Sequence, residues 1–91
     1  MNFEWNLDKA AAYIAKHGIS FEEANTVFDD PLYITVLDEE HSDDEERYIT
    51  IGQSNRNRLL MIAHTERNGI TRIISARKAT SHEQRYYSDG L

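Results

Sequence analysis

The dipeptide Asn68-Gly69 constrains this chain more than any other feature. Both central residues of a type I′ turn need positive φ, and Asn-Gly between two apolar, β-branched runs is the strongest short hairpin signal. The runs are Arg58 to Arg67 and Ile70 to Lys78. With the turn there, Arg67 falls opposite Ile70, Thr65 opposite Arg72 and Ala63 opposite Ile74. Side chains alternate across a sheet. One face then carries Arg67, Thr65, Arg72, Ala63, Ile74 and Met61. The other carries Glu66, Thr71, His64, Ile73, Ile62, Ser75, Leu60 and Arg77. Polar groups interrupt both faces, which suits a central strand pair with a working surface.

A third strand, Arg47 to Gln53, is expected before this hairpin. A turn at Arg56-Asn57 would set Thr50 against Ala63, Tyr48 against Thr65 and Arg47 against Glu66, the last as an ion pair. On that register Arg47, Ile49 and Ile51 join Leu60, Ile62, His64 and Ile73 under the helices. The opposite face gathers Tyr48, Thr50, Thr65, Arg67 and Arg72 as an open, cation-lined surface. Leu32 to Leu37 reads as a further strand, and Phe3-Glu4-Trp5 is long enough only for a short strand or an apolar plug.

Helix signals bracket the strands. Asn6 is a fair N-cap for a helix from Leu7 to Lys16, with Leu7, Ala10, Ala11 and Ile14 as its apolar stripe. Lys16-His17-Gly18 closes it, the glycine in the left-handed C′ position, and His17 reads as a helix-end residue. Ser20-Phe21-Glu22-Glu23 is a capping box, with Ile19 stapling onto Ala24. That helix buries Phe21, Ala24, Val27 and Phe28 until Asp29-Asp30-Pro31 stops it. Thr80-Ser81-His82-Glu83 is a second box, opening a last helix to about Ser88 that Asp89-Gly90 ends. The expected fold class is α+β: two N-terminal helices, an antiparallel sheet of about four strands and a C-terminal helix, in one domain over 1–91.

Charge is divided along the chain. Residues 1–46 hold two lysines against thirteen acids, whereas 47–91 hold eight basic residues against three acids. Seven of the nine residues Asp38 to Glu46 are carboxylates. Such a run repels itself and reads as a solvated loop or a patch for a basic partner. With His41 it could hold a divalent cation, but the spacing and glycine of a calcium loop are missing. No cysteine is present, so disulfides, thiolate nucleophiles and cysteine-ligated zinc are excluded. No apolar run is long enough to span a membrane and no signal peptide opens the chain, which fits a cytoplasmic location. Glycine loops for phosphate and nucleophile elbows are absent, and no cofactor is expected.

The basic half points to phosphate. Metal-free RNA cleavage needs a proton acceptor for the 2′-hydroxyl, a donor for the leaving oxygen and cations for the charge growing on phosphate. Arginine suits the last task through its planar, permanently charged fork. Arg67, Arg72, Arg77, Lys78 and Arg85 fall within nineteen residues, and Tyr48, Tyr86 and Tyr87 offer rings for base stacking. His64 is the acid–base candidate by type, although its register also suits a buried histidine paired to Glu66 or Arg47.

The chain resembles the BrnT family of toxins from bacterial type II toxin–antitoxin systems. The residues that carry the likeness are Phe3-Glu4-Trp5, Lys16 to Ala24, Val27 to Pro31, His41-Ser42, Glu45 to Tyr48, Ile51-Gly52, His64 to Arg67, Arg72 to Thr80, Glu83, Arg85 and Tyr87. The resemblance implies a RelE-like ribonuclease fold and RNA cleavage that slows translation. It implies neutralisation by a BrnA-type ribbon-helix-helix antitoxin, in a heterotetramer of two toxins and two antitoxins that meets DNA only through the antitoxin. Arg72, Arg77, Arg85 and Tyr87, with His64, are the catalytic residues it suggests; Arg67, Lys78 and Tyr48 would bind RNA. The last helix departs from the family in having Ser81, His82 and Gln84 where basic residues are common. The rival reading is therefore a non-catalytic module that binds a partner through its acidic surface.

Overall fold

The computed structural model describes residues 2–42 and 44–89. In chain order the elements are β1 (Asn2–Trp5), α1 (Leu7–His17), α2 (Phe21–Thr26), β2 (Ile34–Leu37), β3 (Arg47–Gln53), β4 (Leu59–Arg67), β5 (Ile70–Lys78) and α3 (Ser81–Asp89). Tight 3₁₀ turns follow α2 (Val27–Asp29) and β2 (Glu39–His41). The sheet has five strands rather than four, in the order β1-β5-β4-β3-β2. It is mixed, because β1 adds parallel to β5 while the other pairs are antiparallel.

The helix ends follow their sequence signals. Asn6 Oδ1 accepts from the Lys9 amide at 3.0 Å, and Gly18 closes α1 at φ 70° with its N–H on the Ile14 carbonyl. The stripe on α1 is displaced from the expected one: Ala10 is buried, but Leu7 is 78% and Ile14 47% exposed. Tyr13 supplies the missing bulk, packing its ring 5.7 Å from that of Phe21. The second helix tightens into a 3₁₀ turn after Thr26 and β2 begins two residues later than expected, at Ile34. His17 sits at its helix end, stacked on Tyr13. The α3 box closes fully, with Thr80 Oγ1 on the Glu83 amide and Glu83 Oε1 on the Thr80 amide. Gly90, the expected stop of α3, lies outside the described residues, as does Asp43 of the acidic run.

Two irregularities reset the register. The β3–β4 connection is a three-residue loop, with Ser54 N–H on the Arg58 carbonyl and Asn57 at φ 60°. A turn followed by a left-handed residue is the usual three-residue solution. It shifts the pairing by one: Tyr48 faces His64, Ile49 faces Ala63 and Arg47 faces Thr65. A one-residue slip moves every side chain to the other face. Tyr48 and Thr50 therefore lie with His64 on the helix side, while Arg47, Ile49 and Ile51 lie on the opposite face, the reverse of the expectation. The Asn68-Gly69 turn forms as expected, and Arg67 pairs with Ile70 and Thr65 with Arg72. Beyond them Ile74 is an extra residue, so Ala63 meets Ser75 and Met61 meets Arg77. This bulge carries Arg77 to the same face as Arg72 and Arg67, and turns Ala76 into the core.

The core lies between the sheet and α1–α2, around Ile19, Phe21, Ala24, Val27, Leu60, Ile62, Ile73 and Ala76, with Phe3, Trp5, Tyr13 and Phe28 packed on it. Glu23 enters this layer. Its amide takes the Ser20 cap, but its carboxylate does not complete the capping box. It accepts from Ser54 Oγ at 2.6 Å and Arg58 Nε at 2.9 Å, and a second Arg58 nitrogen pairs with its other oxygen. Arg58 also reaches the Gly18 carbonyl, tying the α1–α2 corner to the β3–β4 loop. The Arg58 hydrogen bond, against burial, holds the Glu23 carboxyl below its ordinary 4.5. At Gly52 the chain passes so close that an added Cβ would stand 2.7 Å from Val27 Cγ1 and 3.0 Å from Tyr33 Cβ.

Two stability measurements follow from these contacts. Gly52→Ala should destabilise by about 2 kcal/mol through overpacking, read as a lower urea midpoint; an unchanged midpoint would show that the 27–33 segment yields. Glu23→Gln should cost about 3 kcal/mol at pH 7 by leaving Arg58 unpaired. Because the Glu23 pKa is depressed on folding, its stabilisation is present above 4.5 and lost as pH falls through the folded value. Wild-type and Glu23→Gln urea curves should therefore converge as pH falls below 4.5; a constant gap would mean that charge at Glu23 contributes nothing.

Candidate functional site

The sequence candidates fall into two groups on opposite faces of one sheet end. Alternation on β4 and β5 sends Arg67 and Arg72 to the face away from α1–α2, and Glu66 and Thr71 to the helix side. On the first face Arg47, Thr65, Arg72 and Glu4 form a single row across β3, β4, β5 and β1. Arg72 is 44% exposed, and its guanidinium lies 3.7 Å from Glu4 Oε1, a loose contact. Arg67, at the strand tip, is bound more firmly, giving Nε and one terminal nitrogen to Glu45 Oε2 at 2.8 and 2.6 Å. The acidic run is thus not wholly solvated: Glu45 covers one arginine, and Asp38 pairs with His41.

Arg77 lies further along the same face and spends both terminal nitrogens on Glu83, at 2.8 and 2.9 Å. Burial disfavours the Glu83 charge, but Arg77 and the Thr80 amide outweigh it and hold the carboxyl below its usual range. Tyr87 donates to Asp30 Oδ2 at 2.6 Å, which pushes the phenol up to about 12. Arg77 and Tyr87 therefore pin α3 to the body of the protein. Arg85 is exposed on α3, and Lys78 is exposed at the end of β5. Neither reaches the Arg47–Arg72 row by sheet register.

On the helix side His64 is 2% exposed and bonded at both nitrogens. Nδ1 lies 2.7 Å from Glu66 Oε2, and Nε2 lies 2.7 Å from Thr50 Oγ1. Arg47 is no partner here; Glu66 takes His64 and the Thr71 hydroxyl instead. Burial pushes His64 below its ordinary 6.5, against the pull of Glu66. The proton order of the chain follows. A carboxylate only accepts, so Nδ1 carries the hydrogen and Nε2 accepts from Thr50. Thr50, its one hydrogen spent, accepts from Thr35 Oγ1 at 2.7 Å. The ring of Tyr48 stacks over His64 at 5.9 Å and that of Phe28 meets it edge-on at 5.2 Å. Phe28, Tyr33, Thr35, Tyr48, His64, Glu66 and Thr71 line a cleft of about 280 Å³.

His64 and Tyr48 thus come together, but away from the arginines. Sequence reasoning missed Arg47 and Glu4 as members of the arginine row. Asn57, prone to positive φ, was the signal for the loop that reverses Arg47; Glu4 depended on β1 pairing with β5, which no local pattern announces. Among the described residues no three His, Asp or Glu side chains converge to hold a metal ion, and no helix is long and apolar enough to cross a membrane.

Comparison with known proteins bears on the fold and the family. No curated protein matches the chain in sequence. The fold is similar to that in a crystal structure of the Brucella abortus ribonuclease toxin BrnT, with a TM-score of 0.68 at 20% identity, covering 89% of this chain and 99% of that one. The family described as the ribonuclease toxin BrnT of type II toxin–antitoxin systems matches over residues 5–83. The chain belongs to the BrnT family of ribonuclease toxins of type II toxin–antitoxin systems.

Proposed function

We propose that this chain is a RelE-like endoribonuclease that cleaves RNA without a metal ion on the face bearing Arg47, Thr65, Arg72 and Glu4. The row itself carries the reading. It sets two guanidiniums on strands two spacings apart, about 10 Å, within reach of one phosphate or two neighbours. Arg72 fixes a non-bridging phosphate pair and neutralises the charge that grows as the 2′-hydroxyl attacks. Glu4, the carboxylate of that row, takes the 2′-hydroxyl proton as the 2′-oxygen bonds to phosphorus, and the 5′-oxygen leaves with a proton from solvent water at this exposed face. Arg67 extends the cationic track at the rim once Glu45 is displaced. Arg77 and Tyr87 act by holding α3 in place, and Arg85 lengthens the basic surface for the RNA strand, whereas Lys78 pairs with Leu60 on the helix side of β5.

Such cleavage in the cytoplasm would slow translation, and a BrnA-type ribbon-helix-helix antitoxin, two copies with two toxins, would silence it and carry the pair to DNA. A second reading has its own support. Arg67 and Arg77 are already engaged by Glu45 and Glu83, as expected of a chain that has kept only partner binding.

Digestion of a defined RNA in the presence of EDTA separates the two, with an antitoxin pull-down alongside. Arg72→Ala should lower kcat/KM by about 10²–10³-fold, and Glu4→Gln by about 10²-fold or more, with both proteins folded and still captured by antitoxin. Full cleavage by folded Arg72→Ala would displace the site. No cleavage by wild type, with capture intact, would establish the binding module. A third variant tests the acidic run: Glu45→Gln should uncover Arg67 and tighten RNA binding, while slowing antitoxin association at low ionic strength, since rim charge acts mainly on association rate. Unchanged RNA affinity and association rate would leave Glu45 without a role.

A further inference from the structure

The helix-side cleft is not used by the phosphate row, and its chemistry is one-sided. It is lined by the rings of Phe28, Tyr33 and Tyr48, with Thr35, His64, Glu66 and Thr71 as its polar groups. The proton order running from Thr35 through Thr50 and His64 to Glu66 spends every hydroxyl hydrogen in that chain inward. Glu66 accepts one hydrogen on each oxygen, from Thr71 on Oε1 and His64 on Oε2. One lone pair per oxygen remains, and the side chain is 42% exposed. Thr35, having given its hydrogen to Thr50, also presents only lone pairs. The cleft therefore offers flat aromatic walls and two adjacent acceptors on an anion.

A planar ligand with two neighbouring donors fits such a cleft. Among RNA bases only guanine has them, N1–H beside N2–H₂; adenine and cytosine set a donor next to an acceptor, which the carboxylate would repel. The volume, about 280 Å³, is at the small end for ligand pockets and suits one base. Its place also fits, since Glu66 and Thr71 stand back to back with Arg67 and Arg72 at the same sheet end. We infer that the Tyr48–Glu66 cleft is a guanine subsite that holds one base of the RNA strand where it passes round the sheet end from the phosphate row. The inference rests on the ribonuclease reading for its role, but base binding can be measured without cleavage.

The test titrates the purified protein with 5′-GMP, 5′-AMP, 5′-IMP and argininamide, following the His64 and Tyr48 ring resonances by NMR. GMP should bind at least tenfold more tightly than AMP. IMP, which lacks the N2 amino group, should be weaker than GMP by about tenfold. Glu66→Gln should lower the GMP:AMP ratio at least tenfold; should that variant fail to fold, Tyr33→Ala, at the exposed edge, should raise the GMP Kd about tenfold through lost stacking. Mapped cuts in RNA should show guanine at one fixed position relative to the scissile bond, and inosine there should slow cleavage.

GMP binding without any cleavage would keep the subsite and overturn the ribonuclease reading. Cleavage with neither GMP preference nor a fixed guanine would do the reverse. Shifts from argininamide but not GMP would assign the cleft to a partner's arginine and overturn the subsite.

Discussion

Everything this molecule presents to a ligand depends on how β4 pairs with its two neighbours. β4 sits between β3 and β5, and the spacing of two residues per side-chain repeat makes its register a switch with two settings. In the observed setting the left-handed Asn57 and the extra residue Ile74 each displace a neighbour by one position. Their combined effect gathers Arg47, Arg67, Arg72 and Arg77 on one face, and Tyr48, Thr50, His64 and Glu66 on the other. Without the loop at Asn57, Arg47 would be driven against the apolar layer under α1–α2. Without the bulge, Arg77 would be there too, at a desolvation cost no core of this size could absorb.

Much of this was legible in the chain because its causes are local. The Asn68-Gly69 turn, the caps at Asn6, Ser20 and Thr80, and the left-handed Gly18 each involve residues within a few positions of one another. The family resemblance was legible as well. What escaped was set by distant partners. Glu23 has the spacing of a capping box, yet Arg58 and Ser54, over thirty residues away, offer its carboxylate two charged or hydroxyl donors in a buried place, and they win. Leu7 and Ile14 share a helical stripe with Ala10, but the bulk needed against Phe21 comes from Tyr13. The bulge at Ile74 has no glycine to mark it, and an apolar run gives the same hydrophobic signal before and after an extra residue.

The acidic half of the chain takes on a clearer meaning from these pairings. Several basic groups of the C-terminal half have a carboxylate from elsewhere: Arg58 has Glu23, Arg67 has Glu45, Arg72 has Glu4. The pairs grade from buried and forked to exposed and loose. A buried pair is bound into the architecture, whereas an exposed one is screened by salt and readily exchanged for another anion. The gradient therefore separates cations that hold the fold from cations that can change partners.

The parallel pairing of β1 with β5 has a consequence in time. Asn2 lies against Ile70 and Glu4 against Arg72, so the row joins residues made far apart in time. Between them the ribosome must add some 68 residues, a matter of several seconds at ordinary elongation rates, and the strand must then clear the exit tunnel. During that interval β1 has no partner and Glu4 faces no arginine. A nascent chain that stalls or is cut short before Ile70 lacks Arg72, so Glu4 and Arg47 stay unjoined until β5 is made.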